Sequence, residues 1–129
     1  MEENKLKDLL DLSYFKEKEL IEAESEARKD LIINSTEIGK AAKVFINVVR
    51  VHTNVRAPRI QDLVSYEMLP FETREDIDGI NRRAEVKITE LNAKYQTIYS
   101  LITLTDNYEQ KIDILTRYGI IELPKKTRK

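Results

Sequence analysis

A chain of 129 residues, 41% hydrophobic and 35% charged, is long enough to bury one core without disulfides or metal and too apolar to stay unfolded. It has no cysteine, which excludes disulfides, thiolate nucleophiles and cysteine-ligated metals, and no apolar run approaches the roughly eighteen residues needed to cross a bilayer. The net charge of −1 hides segregation: residues 1–30 hold ten acids and six bases, 38–61 five bases and no acid, 62–79 six acids against Arg74, and the last five residues four bases.

The opening Met1-Glu2-Glu3-Asn4-Lys5 is acidic and then amphipathic, unlike a signal peptide, so a soluble cytoplasmic protein is expected. Residues 3–33 read as a first long helix, or as two in line. Leu6, Leu9 and Leu10 form one apolar turn, and Leu20, Ala23, Ala27 and Leu31 a later seam. Leu12, Tyr14 and Phe15 continue neither stripe, and Asp11 or Ser13 offers a cap for a fresh start. Between Lys16 and Asp30, Glu, Lys and Ala dominate, with opposite charges four apart at Glu24 and Arg28. That is the pattern of the solvated part of an antiparallel hairpin or coiled coil.

Asn34, Ser35 and Thr36 break the pattern, and a second helix begins there. Ile38, Ala41, Ala42, Phe45, Val48, Val49 and His52 take one face, while Lys40, Lys43, Asn47, Arg50 and Asn54 take the other. The β-branched run Val44 to Val51 admits a strand. The polar positions keep steps of three and four, however, and alternation would set Asn47 beside Phe45 and Val49, so the reading is helix. Val55-Arg56-Ala57-Pro58 is a turn, and Pro58 suits the first position of a third helix reaching about Leu69, with Ile60, Leu63, Val64 and Met68 inward.

Pro70 ends that helix, and Glu72, Glu75, Asp76 and Asp78 lead into the longest periodic segment, capped by Thr73 and running to about Leu104. Its stripe is Ile77, Ile80, Ala84, Ile88, Leu91, Tyr95, Ile98, Leu101 and Ile102. Gly79 inside it costs about 1 kcal/mol relative to alanine and suggests a kink or close packing. Asp106 with Glu109 signals a last short helix with Tyr108, Ile112 and Leu115 inward, Gly119 as its left-handed stop and Ile120 folding back. The whole reads as all-α: an elongated helical bundle or hairpin with two long helices (about 3–33 and 74–104) and three shorter ones. A single domain over 1–124, a basic disordered tail over 125–129 and a helical dimer interface complete the expectation.

Little in the chain resembles catalytic machinery. The one histidine, His52, lacks the partners of a metal-binding helix, G-x-S-x-G is absent, and the three glycines stand forty residues apart, which leaves no phosphate-cradling loop. Glu72, Glu75 and Asp76 could hold Mg²⁺ only with carboxylates from a second helix, and acids gather at a helix start because its dipole favours them. No enzyme, cofactor or metal site is expected.

The most pointed feature is the basic face of the second helix continued by the turn: Lys40, Lys43, Asn47, Arg50, Arg56 and Arg59. Such side chains meet partner acids, phosphates or base edges. A helix-turn-helix is a poor description, because the turn lacks glycine and the third helix carries Asp62 and Glu67. Tyr99, off the main stripe, is the aromatic expected to face a neighbour. The expected function is a non-enzymatic protein–protein interaction module: a small regulator, inhibitor or assembly adaptor that forms a homo-oligomer and binds another protein, without membrane contact. The bias toward Ile, Lys, Glu and Asn resembles proteins of AT-rich bacteria and their phages, hence a phage or mobile-element type. The alternative is a nucleic-acid-binding accessory protein using the basic face of residues 40–59.

Overall fold

The computed structural model describes residues 3–53, 56 and 58–121, and over these the protein is all-α. In chain order it comprises α1 (Glu3–Asn34), α2 (Glu37–His52), α3 (Ile60–Leu63), a 3₁₀ turn (Tyr66–Met68), α4 (Phe71–Thr103) and α5 (Tyr108–Arg117). The stretch 44–51 is helical. No described helix is long and apolar enough to cross a membrane. The expected tail at 125–129 and positions 54, 55 and 57 of the expected turn lie outside the described residues. Two compact units divide the chain, one formed by Met1–Leu20 with Lys87–Lys129, the other by Ile21–Val86.

In the first unit Leu6 and Leu10 of α1, Leu91, Tyr95 and Ile98 of α4, and Leu115 of α5 are buried. The spacing of these α4 residues is the one the sequence predicts, though Leu101 at the end of the stripe is exposed. Hydrogen bonds flank this apolar seam. Tyr95 donates its hydroxyl to Glu17, so the Ser13 hydroxyl, 2.7 Å away, is left to donate to the Tyr95 oxygen; Tyr99 donates to Asp11 at 2.8 Å, and Tyr14 to Asn92 at 2.6 Å. Asp11 and Ser13 therefore do not begin a second helix. They sit within one continuous α1 and hold tyrosines of α4, which also gives Tyr99 a neighbour within its own chain. Burial, reinforced by the hydrogen bond to a carboxylate, pushes both Tyr95 and Tyr99 up to about 12.

Asn107, not Asp106, caps α5, accepting from the amides of Glu109 and Gln110 at 2.8 and 3.3 Å. Lys111 takes the inward position expected of Tyr108, which is exposed. At the other end Gly119 has φ +75°, and the amides of Gly119 and Ile120 return to the carbonyls of Thr116 and Leu115. This is the glycine-terminated stop the sequence predicts.

In the second unit Ile33, Ile60, Val64, Leu69 and Ile77 form the core, with Ile38, Ala42, Ile46 and Leu63 packed against it. The seam expected at Leu20, Ala23, Ala27 and Leu31 is wrong. All four are exposed, and the inward row at steps of four is Ile21, Ser25, Lys29 and Ile33. Ser25 is small enough to bury, and Lys29 lays its stem inward while its ammonium reaches Glu26 at 2.8 Å, so polar residues hold the positions a sequence reader assigns to aliphatics.

The third helix is shorter than expected. Val64 is already extended (φ −112°, ψ 106°), and Leu69, restricted by the following Pro70, is extended at φ −84°, ψ 149°. The segment thus runs helix, break, 3₁₀ turn. That burial pattern turns Met68 out and Leu69 in. After Pro70 the long helix starts at Phe71, two residues before the expected Thr73 cap. Gly79 makes no close approach, since a Cβ there would meet only Arg83 Nη2 at 3.9 Å.

Candidate partner-binding surface

α2 begins at a tight corner. The Thr36 hydroxyl donates to the Ile33 carbonyl at 2.6 Å and accepts from the Gly39 amide at 3.0 Å, which caps the new helix and ties it to the last turn of α1. Gly39 is buried against the Ile33 carbonyl. With its start fixed in this way, the helix presents three distinct faces.

Ile38, Ala42 and Ile46, followed by half-buried Val49, face the core. Lys40, Lys43, Asn47 and Arg50 are exposed on a second face, as the sequence predicts. Between these lies a third face of exposed apolar residues. Val44 is 64% exposed, Phe45 53%, Val48 50% and Val51 73%, with exposed Ala41 at the head of the row. Here the sequence reading needs correction: Ala41, Phe45, Val48 and His52 point outward, and Ile46 is the residue that packs inward. The missed signal was the width of the apolar arc. Nine of the sixteen residues of α2 are apolar, more than one core contact can cover. Ala41, Val44, Val48 and Val51 recur at steps of three, four and three, the a and d positions of two heptads, with Phe45 beside them.

The six predicted contact residues are all exposed. Five of them, Lys43, Asn47, Arg50, Arg56 and Arg59, line one shallow concavity of about 330 Å³ together with Asp30 and Asn34, so the fold joins a helix face to Arg56 and Arg59 beyond it. Lys40 stands outside, its ammonium 3.8 Å from Glu37. The concavity is partly neutralised from α1. Arg59 Nη2 lies 2.9 Å from Glu26, and Gln61 donates to Glu26 at 2.8 Å and to Asp30 at 2.7 Å. Lys29 in particular, then Gln61 and Arg59, hold the Glu26 carboxyl below its ordinary value against the opposing effect of burial. Lys40, Lys43 and Arg50 are the bases on α2 itself, whose acid is Glu37 in the first turn.

Known protein families, curated proteins and solved structures offer no match to this chain. Its chemistry is therefore read from its own residues. Glu72, Glu75 and Asp76 are exposed, and among the described residues no three His, Cys, Asp or Glu side chains are grouped as a metal ion would need.

Proposed function

We propose that the protein is a non-enzymatic helical interaction module that binds another protein through the outward face of α2. The observation that carries this reading is the row Ala41, Val44, Phe45, Val48 and Val51, exposed on an ordered helix whose opposite side is anchored in a core. Apolar side chains at heptad spacing are what a partner helix covers, and a contiguous exposed row of them marks an interaction site. The seam from Ala41 to Val51 spans about 15 Å at the helical rise, enough for two turns of a partner to seat.

The test uses two baits, the wild-type chain and Val48→Asp, on nuclease-treated native lysate. A protein retained by the first and lost from the second supports the reading. Identical retention by both contradicts it.

A second reading, nucleic-acid binding, draws on the concavity that gathers Lys43, Asn47, Arg50, Arg56 and Arg59. Against it stand Asp30 in the wall, the Glu26 partner of Arg59, and an apolar row that phosphates would leave uncovered. It requires binding to a short duplex that weakens steeply with salt and falls when Arg50→Ala is combined with Arg56→Ala; unchanged binding in the double variant removes it.

A further inference from the structure

On the side of α2 away from its exposed apolar row, the concavity of about 330 Å³ gathers bases from two stretches of chain: Lys43 and Arg50 from α2, Arg56 and Arg59 from beyond its end. No ion pair or side-chain hydrogen bond to a described residue holds the cations of Lys43, Arg50 and Arg56. Arg59 pairs with Glu26 at 2.9 Å, but that carboxylate is shared with Lys29 at 2.8 Å. Asp30 is the acid of the lining, and it accepts from Gln61 at 2.7 Å. Four bases against Asp30 and Glu26 leave two positive charges uncompensated, with Lys29 outside the count.

Like charges brought together oppose the compact state, and clefts lined by one sign of charge over apolar walls concentrate the field at their mouth. Both conditions meet here. Ile60 of the same lining is buried in the core of the second unit and Ile46 packs against it, while Asn34 and Asn47 add neutral amide donors beside the bases.

The placement of the charge favours a compact anion over an extended one. Lys40, the base of α2 outside the concavity, stands 3.8 Å from Glu37, so phosphates tracking along a duplex would meet the unpaired bases of α2 only within the concavity. A phosphate group brings close to two charges and three acceptor oxygens on one atom, which guanidinium forks take two at a time; a carboxylate brings one charge.

We infer that this concavity binds a compact phosphate anion, the pyrophosphoryl group of a free polyphosphate or of a nucleoside polyphosphate, through Lys43, Arg50, Arg56 and Arg59. The site lies on a different face of α2 from the protein-binding row and does not depend on it.

The test is isothermal titration calorimetry of the full-length chain with sodium pyrophosphate, in EDTA and at about 0.15 M salt, where exposed charges beyond roughly 8 Å are screened. Saturable binding is expected. Lys43→Ala should weaken it about tenfold, as should Arg50→Ala combined with Arg56→Ala, whereas Lys40→Ala, the same charge change outside the concavity, should leave it within about twofold. Asp30→Asn removes the acid from the wall, keeps an oxygen for Gln61, and should tighten binding about threefold. Val48→Asp, which tests the protein-binding row, should leave it within about twofold, so the two readings fail separately.

Adenosine triphosphate under the same conditions distinguishes the sources. Tighter binding than pyrophosphate assigns a nucleotide, and equal binding a free polyphosphate. Four results would overturn the site: no saturable heat with either anion up to about 1 mM, equal losses in Lys40→Ala and Lys43→Ala, citrate binding as tightly as pyrophosphate, or a bound DNA duplex that pyrophosphate fails to displace.

Discussion

A Cβ built on Gly39 would lie 1.8 Å from the Ile33 carbonyl oxygen and 2.6 Å from its carbon, and those are backbone atoms that cannot swing aside. Gly79→Ala, in contrast, meets only the far end of Arg83 at 3.9 Å. Gly39→Ala should therefore lose about 2 kcal/mol of stability despite alanine's better helix propensity, while Gly79→Ala should gain about 1 kcal/mol, both read by urea unfolding. Equal effects at the two sites would contradict the corner described for α1 and α2. Gly39 is the third residue of α2 and Gly79 the ninth of α4, and neither position marks in the sequence what its Cβ would meet. Only the path of the preceding chain tells them apart.

Tyr95 belongs to the same scale. Its pKa is raised to about 12 in the fold against an ordinary 10.0, because burial and the bond to Glu17 favour the protonated phenol. The folded state then binds more protons than the unfolded state between these values. The associated stability is complete below about pH 10 and is lost as pH rises toward 12. Urea midpoints across this window should fall with pH, and Tyr95→Phe should make the decline shallower, with Tyr99 supplying the remainder. A decline of the same slope in Tyr95→Phe would place its cause elsewhere.

At the scale of the element, periodicity recovers α4 well because its buried residues are the large aliphatics a stripe search finds: Ile77, Ile80, Leu91 and Ile98 are all buried. It fails on the second half of α1 for a physical reason. There the inward row includes Ser25 and Lys29, while Leu20 and Leu31, 70% and 71% exposed, mimic a seam on the outward side. Leu10→Ala, at a site 1% exposed, should cost about 2–5 kcal/mol, and Leu20→Ala no more than about 0.5. The reverse order in thermal unfolding would restore the seam that the sequence suggests. In α2 the same kind of substitution separates packing from display: Ile46→Ala should destabilise by about 1–2 kcal/mol and Val48→Ala by no more than about 0.5.

Across the whole molecule, the all-α class was legible because glycine and proline are few and the apolar spacing is helical in every long segment. The basic site was legible as residue types at helical spacing. Its gathering was not, since Arg56 and Arg59 lie beyond the end of α2 and no local pattern encodes that they return to Lys43, Asn47 and Arg50. The apolar half of the proposed surface was hidden for the opposite reason: Ala41, Phe45 and Val48 look like core, and a burial pattern reports that a face is apolar without saying what covers it. The acid-free stretch 38–61 takes in α2 beyond Glu37, but its Lys43 and Arg50 lie on the side of the helix away from the exposed seam.

The absence of cysteine offers a clean background for reading the faces of α2 one residue at a time. The most direct measurement is the thiol-labelling rate of single substitutions Ala42→Cys, Val44→Cys, Ile46→Cys, Val48→Cys and Val51→Cys in the free protein. Positions 44, 48 and 51 are expected to label fast and 42 and 46 slowly. Slow labelling at 44 and 48, or fast labelling at 42 and 46, would contradict an open apolar face on α2.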